Sequence, residues 1–189
     1  LALGACGSRL PEPRLYRLDA AAPVTVRRPG AATASGGEHW QLLLPVQMPD
    51  YLDRSAVLLP QGPAQVLRLS EHQWAEPLTE AVPRLLRHDL AVLVGAGRVW
   101  SAPVPAGVVI ARQVRVEVLA FEAQGDPRAV RLVARLVWSD GKGARPARTD
   151  LVTVVADTTG TGVDAVVAAH RLALWRLAEH IVTGAVAGS

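Results

Sequence analysis

A single cysteine, Cys6, stands in a chain of 189 residues, so no disulfide can form within it and no cysteine cluster can hold a metal. Aromatic residues are scarce at 4%, and Phe121 is the one phenylalanine. Valine, leucine and alanine must therefore fill any core, with the tryptophans as its large plugs. Lysine is nearly missing as well, since Lys142 is alone among 20 basic residues. No stretch approaches the roughly 18 uninterrupted apolar residues of a membrane helix. The longest apolar run, Val104 to Ala111, is broken by Pro105 and Gly107.

What remains is hydrophobic: half of the residues are apolar, and the mean hydropathy is +0.21. That is enough for one domain with a real core. An isoelectric point near 9.7 invites a nucleic-acid reading, yet the formal net charge is only +3. The arginines are scattered and no reading element accompanies them, so nucleic acid is not an expected partner.

Chemistry-bearing patterns are also missing. Gly141-Lys142-Gly143 reads as a hairpin turn, and Gly95-Ala96-Gly97 has no third glycine, so neither cradles a phosphate. His170 and His180 lie too far apart on one helix to share a zinc ion, and no Gly-x-Ser-x-Gly elbow presents a nucleophile. His170 falls among apolar positions and reads as a satisfied core or boundary histidine. Asp50, Asp53 and Glu76 could meet as paired carboxylates, although solvated loop positions are the simpler expectation. His72 beside Trp74 could line a pocket, or Trp74 could simply plug the core. No catalytic residue, cofactor or metal site is expected, and the chain reads as a non-enzyme.

Periodicity lays out the elements. Tyr16-Arg17-Leu18 is a first candidate strand, and Val24 to Arg27 is a weak strand or part of a loop. Trp40 to Val46 is a strand whose apolar run suits an interior position. Ala56 to Leu59 and Gln65 to Leu69 bracket Pro60-Gln61-Gly62-Pro63 and predict a hairpin. Ser70 with Gln73 looks like a capping box ahead of a helix carrying Leu78, Val82, Leu85, Leu86, Leu90 and Leu93. Pro83 should kink or restart that helix, and Gly95 should end it.

Val114, Val116 and Val118 alternate with Arg115 and Glu117, and Phe121 breaks the alternation, which predicts a bulge near Leu119. Val130, Leu132, Ala134, Leu136 and Trp138 line one face of the next strand, and Leu151 to Ala156 forms a further one. A last helix starts near Thr161-Gly162-Val163-Asp164. It stacks Val163, Val166, Val167, His170, Leu174, Leu177, Ala178 and Ile181 on one stripe, with Arg171, Arg176 and Glu179 off it. The expected fold is a layered α/β domain with a mixed or antiparallel sheet and two main helices.

Leu3-Gly4-Ala5-Cys6 places small residues directly before the cysteine, as a bacterial lipobox does, and Cys6 is the candidate lipidation site. On that reading residues 1–5 are the remnant of a signal peptide and 6–13 the lipidated tether. Residues 14–186 then form a single domain, and 187–189 a frayed tail. Acyl chains on Cys6 would hold the domain at a membrane, at about 0.8 kcal/mol for each buried methylene.

Several of these segments, taken in order, resemble the ABC-type transport auxiliary lipoprotein family. They are Cys6, Tyr16-Arg17-Leu18, Val46-Gln47-Met48-Pro49-Asp50 running into Tyr51-Leu52-Asp53-Arg54, and His72-Gln73-Trp74-Ala75-Glu76-Pro77-Leu78. Val116-Glu117-Val118 with Phe121-Glu122 and the alanine-rich last helix complete the pattern. The resemblance implies a fold similar to the N-terminal domain of TolB. It also implies an accessory role beside an MCE-domain protein with its permease and ATPase, moving lipid between inner and outer membranes. Members of the family look like lipid-anchored proteins on the periplasmic side of the outer membrane, some of them homo-oligomeric rings. Gly7 after Cys6 is compatible with outer-membrane sorting. Tyr51, Leu52, Asp53, Arg54 and Trp74 are candidate docking or structural residues, the two roles standing level. The alternative is an envelope assembly lipoprotein unconnected with lipid transport.

Overall fold

The structure, a computed structural model, describes residues 12–18, 37–62, 64–125, 129–144 and 146–187. Cys6, most of the tether and the weak strand at Val24 to Arg27 lie outside the described residues. Two sheets and two long helices make up the rest. Strand β1 (Arg14–Tyr16) runs parallel to β4 (Val66–Trp74), which pairs antiparallel with β3 (Ala56–Pro60). The second sheet has the order β5-β2-β6-β7-β8, from β2 (His39–Gln47), β5 (Val99–Trp100), β6 (Ile110–Gln124), β7 (Ala129–Asp140) and β8 (Arg148–Asp157). In it β2 is parallel to β5 and β6, whereas β6, β7 and β8 form an antiparallel meander. The sheet is mixed, and the layered α/β class is as expected.

Helix α2 (Val163–Ala187) lies against β6, β7 and β8, while α1 (Leu78–Val94) lies against β2, β5 and α2. Alternation explains the layering. Val114, Val116, Val118, Leu132, Ala134 and Leu136 are buried toward the helices, and Arg115 and Arg135 on the opposite face are exposed. The predicted bulge is real: the β6–β7 register shifts between Val118 and Ala120, which returns Phe121 to the buried face. One apolar cluster, from Leu18 to Ala185, joins both sheets and both helices.

Three local expectations need correction. The first strand is Arg14–Tyr16, two residues earlier than predicted, because its register is set by pairing with His72 to Trp74. Ser70 and Gln73 do not cap a helix. Strand β4 runs on to Trp74, Gln73 donates to the Ser70 carbonyl, and α1 begins only after Pro77. Cross-strand pairing outweighed a local capping signal there. Of the kink or restart expected at Pro83, the restart does not occur: α1 continues through it, without the hydrogen bond its missing N–H would have given Thr79. Arg171, off the apolar stripe, is 5% exposed all the same, because α2 is covered by the sheet on one side and by α1 on another.

Candidate functional site

Strand β2 leaves β6 after the pairing of Gln47 with Glu117. The last part of β6 therefore has no strand partner on that side among the described residues. A 3-10 turn (Asp50–Leu52) and then β3 pass along this free edge. Between them lies a cavity of about 450 Å³. Its walls come from Tyr51, Leu52 and Arg54, from Leu58 and neighbouring residues of the β3–β4 hairpin, from Trp74 and Leu78, and from Phe121, Glu122, Arg131 and His170. The volume falls within the roughly 300–1,000 Å³ of small-molecule pockets.

Each predicted motif residue has a definite place. The Tyr51 hydroxyl accepts from the backbone N–H of Phe121 and donates to the Glu122 carboxylate, so it blunts the free edge of β6. Burial raises the Tyr51 pKa above its ordinary value, and the Glu122 charge raises it further. Leu52 is buried in the core. Asp53 turns the other way, where its carboxylate accepts from the Thr79 hydroxyl at 3.3 Å in the first turn of α1. Arg54 is exposed at the cavity wall, and no ion pair or hydrogen bond engages it among the described residues.

Trp74 ends β4 and is buried, its ring edge-on to His170 at 5.4 Å. His170 in turn packs on Phe121 at 4.8 Å. Its Nδ1 lies 2.8 Å from the Val166 carbonyl. A carbonyl only accepts, so Nδ1 carries the proton and donates. Burial lowers the His170 pKa to about 4, and the ring is neutral at neutral pH.

The structure thus brings Tyr51, Leu52, Arg54 and Trp74 to one cavity and leaves Asp53 outside it, as a link between the loop and α1. Of the three carboxylates named from sequence, Asp53 accepts from Thr79 and Glu76 pairs with Arg84. His72 faces Tyr16, whose hydroxyl is 2.8 Å from its Nδ1. No group of three or more His, Cys, Asp or Glu side chains among the described residues is arranged to hold a metal. Sequence reasoning missed Glu122 and Arg131 as wall residues, although the register break at Phe121 marked the strand that carries one of them.

The Tyr51 latch is testable. Tyr51→Phe removes one hydroxyl and should lower stability by about 1 kcal/mol in urea unfolding, with the denaturant slope unchanged. A stability equal to that of the parent would show that the hydroxyl does not secure the strand edge.

Fold and site together define a small layered α/β domain with a ligand-sized cavity between its two sheets. Residues 16–182 match the family model described as ABC-type transport auxiliary lipoprotein component, and the chain belongs to that family. A solved structure titled as an uncharacterized protein is similar with a TM-score of 0.72 at 17% identity, covering 92% of this chain and 99% of its own. A protein of Xanthomonas campestris is similar at TM-score 0.66 and 14% identity, over 92% of this chain and 95% of that one. A hypothetical protein of Chlamydia trachomatis reaches a TM-score of 0.50 at 13% identity, over 80% and 99%. At such identities the likeness establishes the fold alone. Comparison with curated proteins gives no match. Membership of a lipoprotein family goes with the cell envelope, and no helix among the described residues is long and apolar enough to cross a membrane.

Proposed function

We propose that this chain is a non-catalytic lipoprotein, held through Cys6 on the periplasmic side of the outer membrane. It serves as the accessory component of an MCE-type ABC system that moves lipid between the two membranes. The observation that carries the reading is the family match over residues 16–182. The lipobox at Cys6 supports the anchor, and the gathering of Tyr51, Leu52, Arg54 and Trp74 at one cavity supports a binding role. The MCE-domain protein, with its permease and ATPase, is the partner on which the domain docks, as one copy or as a ring of copies.

The test is co-purification of the lipidated chain from detergent extracts, with membrane fractionation of Cys6→Ser alongside. The expected result is an MCE-domain protein in the eluate, together with a folded Cys6→Ser variant that leaves the membrane fraction. An eluate holding only outer-membrane assembly proteins would favour the assembly reading and end this one. A Cys6→Ser variant that stays with membranes would remove the anchor.

A further inference from the structure

The lining of the cavity combines apolar side chains with a few charged ones. Inside, Leu52, Leu58, Trp74 and Phe121 present apolar surface, and His170 at this wall is neutral because burial has emptied its charge. Three charged residues touch the cavity: Arg54, Glu122 and Arg131. Arg131 donates to Glu122 at 2.9 Å, and Tyr51 donates to the same carboxylate, so the one acidic group is already engaged. Arg54 is left uncompensated among the described residues, and the Arg131 Nε is buried with no hydrogen-bond partner. Among the described lining residues two cations therefore stand against one carboxylate. A second groove of about 890 Å³ shares Leu59, Pro60, Gly62 and Gly125 with the cavity and reaches Leu67, Thr158 and Thr161.

We infer that this cavity binds an anionic amphiphile, taking one acyl chain between the two sheets and holding the charged head at Arg54, beside the Arg131–Glu122 pair. A largely apolar cavity with Arg54 on its wall, unengaged among the described residues, is complementary to a molecule with an apolar tail and an anionic head. A peptide strand fits less well, because the backbone N–H that β6 would offer it at Phe121 is already bonded to Tyr51. The inference names a cargo class for the accessory reading above. It rests on that reading only for the membrane from which the amphiphile comes. A free fatty carboxylate and the acyl chain of an anionic phospholipid share this chemistry.

The experiment uses the full chain as Cys6→Ser, so that no acyl group of its own competes. The fluorescent fatty acid cis-parinarate is titrated in and then displaced with oleate, with oleyl alcohol, or with phosphatidylglycerol vesicles. Saturable binding with displacement by oleate is expected. Displacement by the vesicles as well would identify phospholipid as a source, and displacement by oleate alone a free fatty carboxylate; both support the site. Arg54→Glu should weaken oleate about tenfold while leaving oleyl alcohol unchanged, as loss of one charge-assisted contact predicts. Leu58→Trp should fill the cavity and abolish both, with circular dichroism confirming its fold. No saturable binding, or binding indifferent to both variants, overturns the inference. The assay needs no partner, so a chain that binds the probe yet fails to co-purify an MCE-domain protein loses only the transport reading. A chain that co-purifies but does not bind the probe loses only the cavity.

Discussion

Asp89→Ala is expected to destabilise the domain by about 3–5 kcal/mol, because it leaves the Arg171 guanidinium buried without its carboxylate. Asp89 on α1 and Arg171 on α2 meet in two parallel hydrogen bonds of 2.8 and 2.6 Å. Their side chains are 0% and 6% exposed, so water cannot take the place of the lost partner. At roughly 2–4 °C for each kcal/mol in a domain of this length, the melting temperature should fall by about 10 °C. Burial raises the Asp89 pKa from its ordinary value even though the guanidinium pulls it down. Desolvating two charges offsets much of what their pairing contributes. The double variant Asp89→Leu with Arg171→Met should therefore recover most of the lost stability. Thermal unfolding of the three proteins decides it. A single variant within about 1 kcal/mol of the parent, or a double variant no better than the single, would refute this account.

The ion pair also marks where the sequence stopped being legible. Arg171 sits beside His170 on a helix whose apolar stripe was plain from its spacing, yet a one-stripe pattern assumes one covered face. Helix α2 has two, because α1 lies on it as well as the sheet, and periodicity within α2 cannot reveal the second layer. Asp89 was equally silent, since a lone aspartate among leucines shows no partner until the two helices are placed together. The β meander was readable to the residue at the bulge, because alternation and its break at Phe121 are recorded in the order of side chains. The β3–β4 hairpin was readable for the same reason. The cavity was not. Tyr51, Leu52, Arg54 and Trp74 were singled out by resemblance, but their common wall depends on β2 leaving β6 after Glu117, which is a register fact. Asp53 belongs to the same four-residue run and points elsewhere, so adjacency in sequence was a poor guide to adjacency in the site.

His170 is expected to make the fold sensitive to acid. Its imidazole is 3% exposed, enclosed by Trp74 and Phe121, and the Val166 carbonyl holds the proton on Nδ1. Burial lowers its pKa from the ordinary 6.5 to about 4 in the folded protein. Between those two values the unfolded chain binds a proton that the folded one refuses, so stability must decline as pH falls through that window. The gap corresponds to about 3 kcal/mol, present in full above the unfolded value and lost progressively toward the folded one. His170→Leu, which keeps an apolar group between the two rings, should flatten this part of the pH profile. Urea unfolding of parent and variant between neutral pH and pH near 4 measures the difference, and the ring's own NMR titration gives the folded pKa directly. Titration near 6.5, or the same acid slope in parent and variant, would mean that the ring is not buried as a neutral base. The same side chain lines the cavity, so its low pKa keeps that wall uncharged at neutral pH, as an apolar chain lying against it requires.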